Sequence, residues 1–207
     1  MLVERPDLRV ALARDGDPDP TGLSAAERQR LRAETSPDRA RAFVRGRELA
    51  RALVARSAGV RPADVAIDAR CAECGREHAR PTAHVDGVRF ALSISHAAGV
   101  TVVAAGAPHA SGPGTLGVDV EPVTASTSHL GALLPGIPPE SLLRHWVRVE
   151  AVVKADGRGL RLEPAAVVLE GDRARIPGTA GFYRVTDLES DGLVISVARP
   201  GTPGADA

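Results

Sequence analysis

Apolar residues recur along this chain in two rhythms, and together they mark out two long helices among a series of short strands. Phe43, Val44, Leu49, Leu53 and Val54 keep helical spacing and leave arginines on the remaining faces. Ser36-Pro37-Asp38 supplies a start and Gly59 a stop, which predicts a helix from there to about residue 58. Upstream, Ser24 fits an N-cap, with Glu27 at the capping-box position. A second long helix is predicted over residues 140–155, ended by Gly157-Arg158-Gly159.

Between and after the helices the rhythm changes to alternation or to short β-branched runs. Strands are predicted at 8–13, 65–67, 88–95, 100–105 and 116–120, then at 166–169, 181–187 and 193–198. The run 100–105 suits a central strand. Residues 15–22 and 106–115 read as Gly/Pro-rich connections, and 123–139 as mostly loop with a turn of helix near 129–133. Each half thus holds one long helix and about three strands. That pattern predicts an α+β fold of two halves packed side by side, 1–115 and 116–199, with a disordered tail at 200–207.

Composition narrows the function classes. The 26 Lys and Arg residues balance the 26 Asp and Glu residues, so no global attraction to nucleic acid or to an acidic membrane is expected. No apolar run approaches the roughly 20 residues needed to span a bilayer. The first residues lack the form of a signal peptide, so the expected location is cytoplasmic. Aromatic residues are scarce, and the core is expected to consist of small aliphatic side chains. The two cysteines, Cys71 and Cys74, precede His78 and His84; they fit either a zinc knuckle or a redox-sensitive pair.

Candidate chemistry lies in the second half. Trp146, Glu150 and Lys154, with the only tryptophan and the only lysine, fall at i, i+4 and i+8 on one helix face. Asp119 and Glu121 stand at i and i+2 of a strand and project to one side. Alone, that pair reads as an edge strand running into a solvated loop. A third carboxylate from a helix turns it into an oxygen-only site suited to Mg²⁺, an ion that keeps waters and phosphate oxygens as further ligands.

Four segments then line up in order: His78-Ala79-Arg80-Pro81, Ser93-Ile94-Ser95-His96, Gly117-Val118-Asp119-Val120-Glu121, and the stretch from Trp146 through Glu150 and Lys154 to Gly157, Gly159 and Leu160. With them the chain resembles the 4′-phosphopantetheinyl transferases of the surfactin and enterobactin type. The signatures of that family are an HG(K/R)P-like turn, an (N/S)xSH segment, a GxDxE strand and a WxxxExxxKxxGxGL helix. Phe43-Val44-Arg45-Gly46-Arg47 also looks like the early helix of the family. The matches cover most of the chain.

The resemblance implies a pseudo-twofold α+β fold with coenzyme A bound between the halves. It implies transfer of phosphopantetheine to a serine of an acyl or peptidyl carrier protein, with release of adenosine 3′,5′-bisphosphate. Asp119, Glu121 and Glu150 would bind Mg²⁺. Glu150 would take the serine proton, and Lys154 would contact a phosphate and offset leaving-group charge. Arg80, Ser95 and His96 would grip nucleotide phosphates, Pro81 would shape the turn, and Arg30, Arg41 or Arg47 would reach the 3′-phosphate. A monomer is expected, because both halves lie in one chain.

Two departures stand out. Val149 occupies a position where the family often has lysine, and the adjacent Arg148 points elsewhere on a helix. Ala79 replaces a glycine, which would cost stability if the position requires φ > 0. The competing readings are a coenzyme A- and carrier-binding protein of the same fold without efficient transfer, and a small zinc-binding interaction module.

Overall fold

In the computed structural model, which describes residues 2–5, 7–14, 16–71, 73–109 and 116–201, helix ends fall where the capping chemistry sits. Helix α1 (Ala25–Ala33) opens on a complete capping box: the Ser24 hydroxyl accepts from the Glu27 amide, and the Glu27 carboxylate accepts from the Ser24 amide. Helix α2 (Pro37–Ala58) has proline in its first turn and ends on Gly59 at φ 71°, a left-handed position that favours glycine. A single turn, α3 (Leu130–Leu133), precedes α4 (Leu142–Asp156), which stops at Gly157 with φ 84°.

The chain divides into two compact units, Met1–Gly114 and Thr115–Ala207. The first carries β1 (Leu2–Arg5), β2 (Leu8–Arg14), β3 (Ala66–Arg70), β4 (Glu77–Val85), β5 (Val88–Ala97) and β6 (Val100–His109). They form an antiparallel sheet in the order β1-β2-β6-β5-β4-β3. Ala50, Leu53 and Val54 of α2 pack on Phe90, Leu92, Val103 and Ala105 of the sheet. At Gly46 the helix lies close to the sheet, since a Cβ there would lie 3.1 Å from Ile94 Cγ2. Beneath α1, the carboxylate of Glu27 is fully buried between Arg51, 2.6 Å away, and Arg47, 2.9 Å away.

The second unit carries β7 (Gly117–Pro122), β8 (Val168–Glu170), β9 (Arg173–Arg175), β10 (Tyr183–Ser190) and β11 (Leu193–Pro200), ordered β7-β11-β10-β9-β8 and again antiparallel. Val149, Val152 and Val153 of α4 join Tyr183, Val185 and Ala198 in its core. The fold is therefore α+β, with helices laid on antiparallel sheets.

The predicted helices and most predicted strands are present, with three additions. Strands β1, β4 and β9 were not expected. The segment His78–Pro81, expected as a turn, belongs to β4. Its pairing is irregular there: the β3 register jumps from Thr82 to Glu77, and the β5 register ends at Thr82. Pro81, which has no amide to donate, sits where neither neighbour asks for one. Ala79 causes no backbone strain, because the non-glycine residues with positive φ among those described are Asp86 and Ala98. Strand β6 runs on to His109 into the expected connection, and β11 to Pro200 at the start of the expected tail. Residues 110–115 and 202–207 lie outside the described residues.

Candidate functional site

Gly117 explains how a strand and a helix of the second unit come close enough to share chemistry. A Cβ at Gly117 would lie 1.9 Å from Ala151 O and 2.5 Å from Ala155 N, so only glycine lets α4 rest on β7. Strand alternation then points Asp119 and Glu121 to the same side as Gly117, toward the helix. Glu150 and Lys154 flank Ala151 and Ala155 on α4. Lys154 Nζ donates to Asp119 Oδ1 at 2.5 Å, and Asp119 is buried.

The electrostatics of this group are unbalanced. Burial pushes the Glu150 carboxyl above its ordinary range; Lys154 pulls it down, while Asp119 and Glu121 push it up. Glu121 is raised by burial and then by Asp119, against the opposing pull of Lys154 and His129. His129, at the start of α3, is a neighbour that sequence spacing did not single out. Three carboxylates thus face one ammonium. Among the described residues, no three His, Cys, Asp or Glu side chains converge tightly enough to ligate one ion as they stand.

The flanking residues of α4 have other duties. Trp146 packs, partly buried, against the core of the second unit. Val149 is fully buried in that core. Arg148 turns away to Asp187, which it holds with Nε at 3.0 Å and Nη2 at 2.7 Å while Arg144 and Ser196 bond the same carboxylate.

In the first unit, a cavity of about 390 Å³ is lined by Arg30, Arg39, Arg47, Pro81, His96 and neighbouring residues. Arg30 and Arg47 each stack on Phe43, with guanidinium carbons 4.9 Å from the ring centroid. Arg47 is buried and ion-paired to Glu27, so its charge is partly committed. A second cavity, of about 830 Å³, is lined by Arg39, Arg41, Arg45 and His96 among others. Arg41 is exposed and pairs with Asp17 and Asp38, whereas Arg45 is buried and donates to the carbonyls of Gly16 and Gly99. Arg39 and His96 line both cavities, which makes Arg39 a phosphate candidate that periodicity alone did not separate from its neighbours.

The structure splits the other expected phosphate residues. Ser95 is buried, and strand alternation turns it to the sheet face opposite His96. Arg80 likewise alternates with Ala79 and Pro81, which line the smaller cavity while Arg80 does not. The helix-side group is therefore Arg30, Arg39, Arg47, Pro81 and His96.

No family model matches this chain, and no curated protein matches it. The site is therefore read from its own geometry.

The cysteines sit in the turn joining β3 to β4, closed by the amide of Gly75 on the carbonyl of Cys71 and the amide of Cys71 on the carbonyl of Arg76, both at 2.8 Å. They are not disulfide-bonded to each other. His84 pairs with Ala66, five residues before Cys71 on β3, a length of strand that spans about 16 Å. Its ring meets Thr82 Oγ1 at 3.2 Å instead. The side chain of His78 lies outside the described residues.

Proposed function

We propose that this chain is a Mg²⁺-dependent 4′-phosphopantetheinyl transferase, which moves phosphopantetheine from coenzyme A to a serine of an acyl or peptidyl carrier protein. The observation that carries the reading is the alignment of Gly117, Asp119 and Glu121 on one face of β7, against the helix that presents Glu150 and Lys154. The proposal includes the pseudo-twofold fold of that family. Its support is that each unit lays one long helix on an antiparallel sheet.

The donor chemistry suits a hard divalent cation, around which the three carboxylates would draw closer than they stand. It offers carboxylate oxygens alone, and burial together with mutual repulsion raises two of the three acids, a tension that added positive charge relieves. Asp119, Glu121 and Glu150 would hold Mg²⁺, which when bound would supply charge neutralisation at the pyrophosphate. Glu150, directly or through a water, takes the proton of the incoming serine hydroxyl. The serine oxygen bonds to the phosphorus that carries the pantetheine. The bridging P–O bond on the nucleotide side breaks, and adenosine 3′,5′-bisphosphate departs with the electron pair. Lys154 sets a fixed positive charge where that leaving group accumulates negative charge. Arg30, Arg39 and His96 of the first unit offer a cationic cavity suited to a nucleotide phosphate.

The reading is tested by following adenosine 3′,5′-bisphosphate chromatographically after mixing the protein, coenzyme A, Mg²⁺ and an apo carrier protein. Product that requires all four supports it, and absence of product with every carrier type tried contradicts it. A second reading rests on Val149, an apolar core residue where the family often carries lysine: a coenzyme A-binding protein without transfer. Saturable coenzyme A binding with no bisphosphate released would favour that reading.

A further inference from the structure

Beside the cavity read for the nucleotide phosphate, with which it shares Arg30, the first unit carries a cysteine pair that the proposed function does not use. Cys71 and Cys74 are spaced three apart in one turn, which the amide of Gly75 closes on the carbonyl of Cys71. Cys74 is exposed. It lines a cavity of about 910 Å³ with Arg30, Arg70, Arg76, Gln29 and Glu34. Three guanidinium groups against one carboxylate make this cavity cationic, and the Glu34 carboxylate already accepts the amide of Ser36. Arg76 and Cys74 line the same cavity, and the nearby sulfur holds the Arg76 guanidinium above its ordinary range.

We propose that Cys71 and Cys74 form a redox-active dithiol that reacts with small anionic disulfides admitted by the cavity of Arg30, Arg70 and Arg76. Attack begins at Cys74, because it is exposed and lines the cavity where Arg70 and Arg76 would receive the anionic disulfide. Its sulfur displaces one half of the small disulfide as a thiolate and forms a mixed disulfide. Cys71 gives up its proton, attacks Cys74 Sγ and expels the second half as a thiolate. The balance is two protein thiols oxidised to one intramolecular disulfide and one small disulfide reduced to two thiols. The oxidised turn lies at the head of β4, the strand that continues into Arg80 and Pro81.

The test uses the full chain with oxidised glutathione as the probe, an acid quench, alkylation of remaining thiols and intact mass. The proposal predicts that the wild-type protein loses both alkylatable thiols and keeps no glutathione. Cys71→Ser should retain one glutathione, mapped to Cys74, while Cys74→Ser should react at least about tenfold more slowly. Arg76→Ala should slow the first step by a similar factor for oxidised glutathione but much less for a neutral disulfide. Persistence of both thiols in the wild-type protein would overturn the proposal. So would stoichiometric zinc in the purified protein, bound so that only its removal exposes the thiols.

Discussion

Among the described residues, buried charge in the first unit around Glu27 and in the second around Asp119 is resolved in opposite ways. Glu27 is fully buried, yet its carboxylate is held below the ordinary range. Burial alone would raise it, but the Arg51 bond, the Ser24 amide and the charges of Arg51 and Arg47 outweigh that penalty. The second group, Asp119, Glu121 and Glu150, has Lys154 as its nearby cation, and there burial and repulsion win at both glutamates. Charge that is matched on the spot serves the fold. Charge left in excess is poised to receive a cation or to move a proton, which is why the second group and not the first is the candidate site.

The largest expected effect comes from unbalancing the matched group. Glu27→Ala strands two buried guanidinium groups and removes the capping box, and should cost about 3–5 kcal/mol in denaturant unfolding. A loss below about 1 kcal/mol would show that water reaches these groups and that the contrast is overstated. Gly117→Ala comes next, at about 3 kcal/mol, because backbone atoms of α4 rather than flexible side chains stand in the way. It should also abolish transfer, by lifting Glu150 and Lys154 off the strand.

Asp119→Ala separates the two kinds of charge most cleanly. Removing one of three crowded carboxylates should shift stability by no more than about 1 kcal/mol while abolishing transfer, a pairing read from a melt and a turnover assay on one preparation. On the proposed mechanism, Lys154→Ala should lower turnover by about 100-fold or more, since it would remove a fixed charge from beside the leaving group. An unchanged rate would reduce this lysine to a partner of Asp119.

The smallest effect is the pH dependence, and here the two groups should differ in sign. The folded pKa of Glu27 is depressed, so its contribution is present above the unfolded value near 4.5 and is lost as pH falls through the lower folded pKa. The folded pKa values of Glu121 and Glu150 are raised, so the folded state binds more protons than the unfolded chain. Their contribution is present below the unfolded value near 4.5 and is lost as pH rises through the folded pKa values. Glu150→Gln should therefore make metal-free protein more stable above that window and flatten the profile within it. Urea titrations at several pH values would detect the difference, and a Glu150→Gln protein with the wild-type slope would argue against it.

The same contrast explains what was legible in the sequence. Local signals carried α2 and α4, whose caps and apolar stripes sit within single segments, and the i, i+2 and i, i+4 spacings that put Asp119 with Glu121 and Glu150 with Lys154. Long-range consequences were hidden. Glu27 looked like a capping residue and nothing more, because its burial depends on Arg47 and Arg51, some 20 and 24 positions away. Strand β4 was obscured by Pro81, which argues against a paired strand until the break in the ladder is seen. The close approach at Gly117 and the opposite facing of Ser95 and His96 needed the register of the sheets. So did the placement of Arg39 on two cavities, since every arginine on an arginine-rich helix looks alike in sequence.

The most direct test of the central claim is the intact mass of an apo carrier protein incubated with this protein, coenzyme A and Mg²⁺, beside a control containing EDTA. The transferase reading predicts a gain of one phosphopantetheine group that EDTA abolishes and that Asp119→Ala does not support. An unchanged carrier mass across fatty-acid, polyketide and peptide carriers, under conditions where coenzyme A binds, would contradict it and leave the three carboxylates without a transfer reaction to serve.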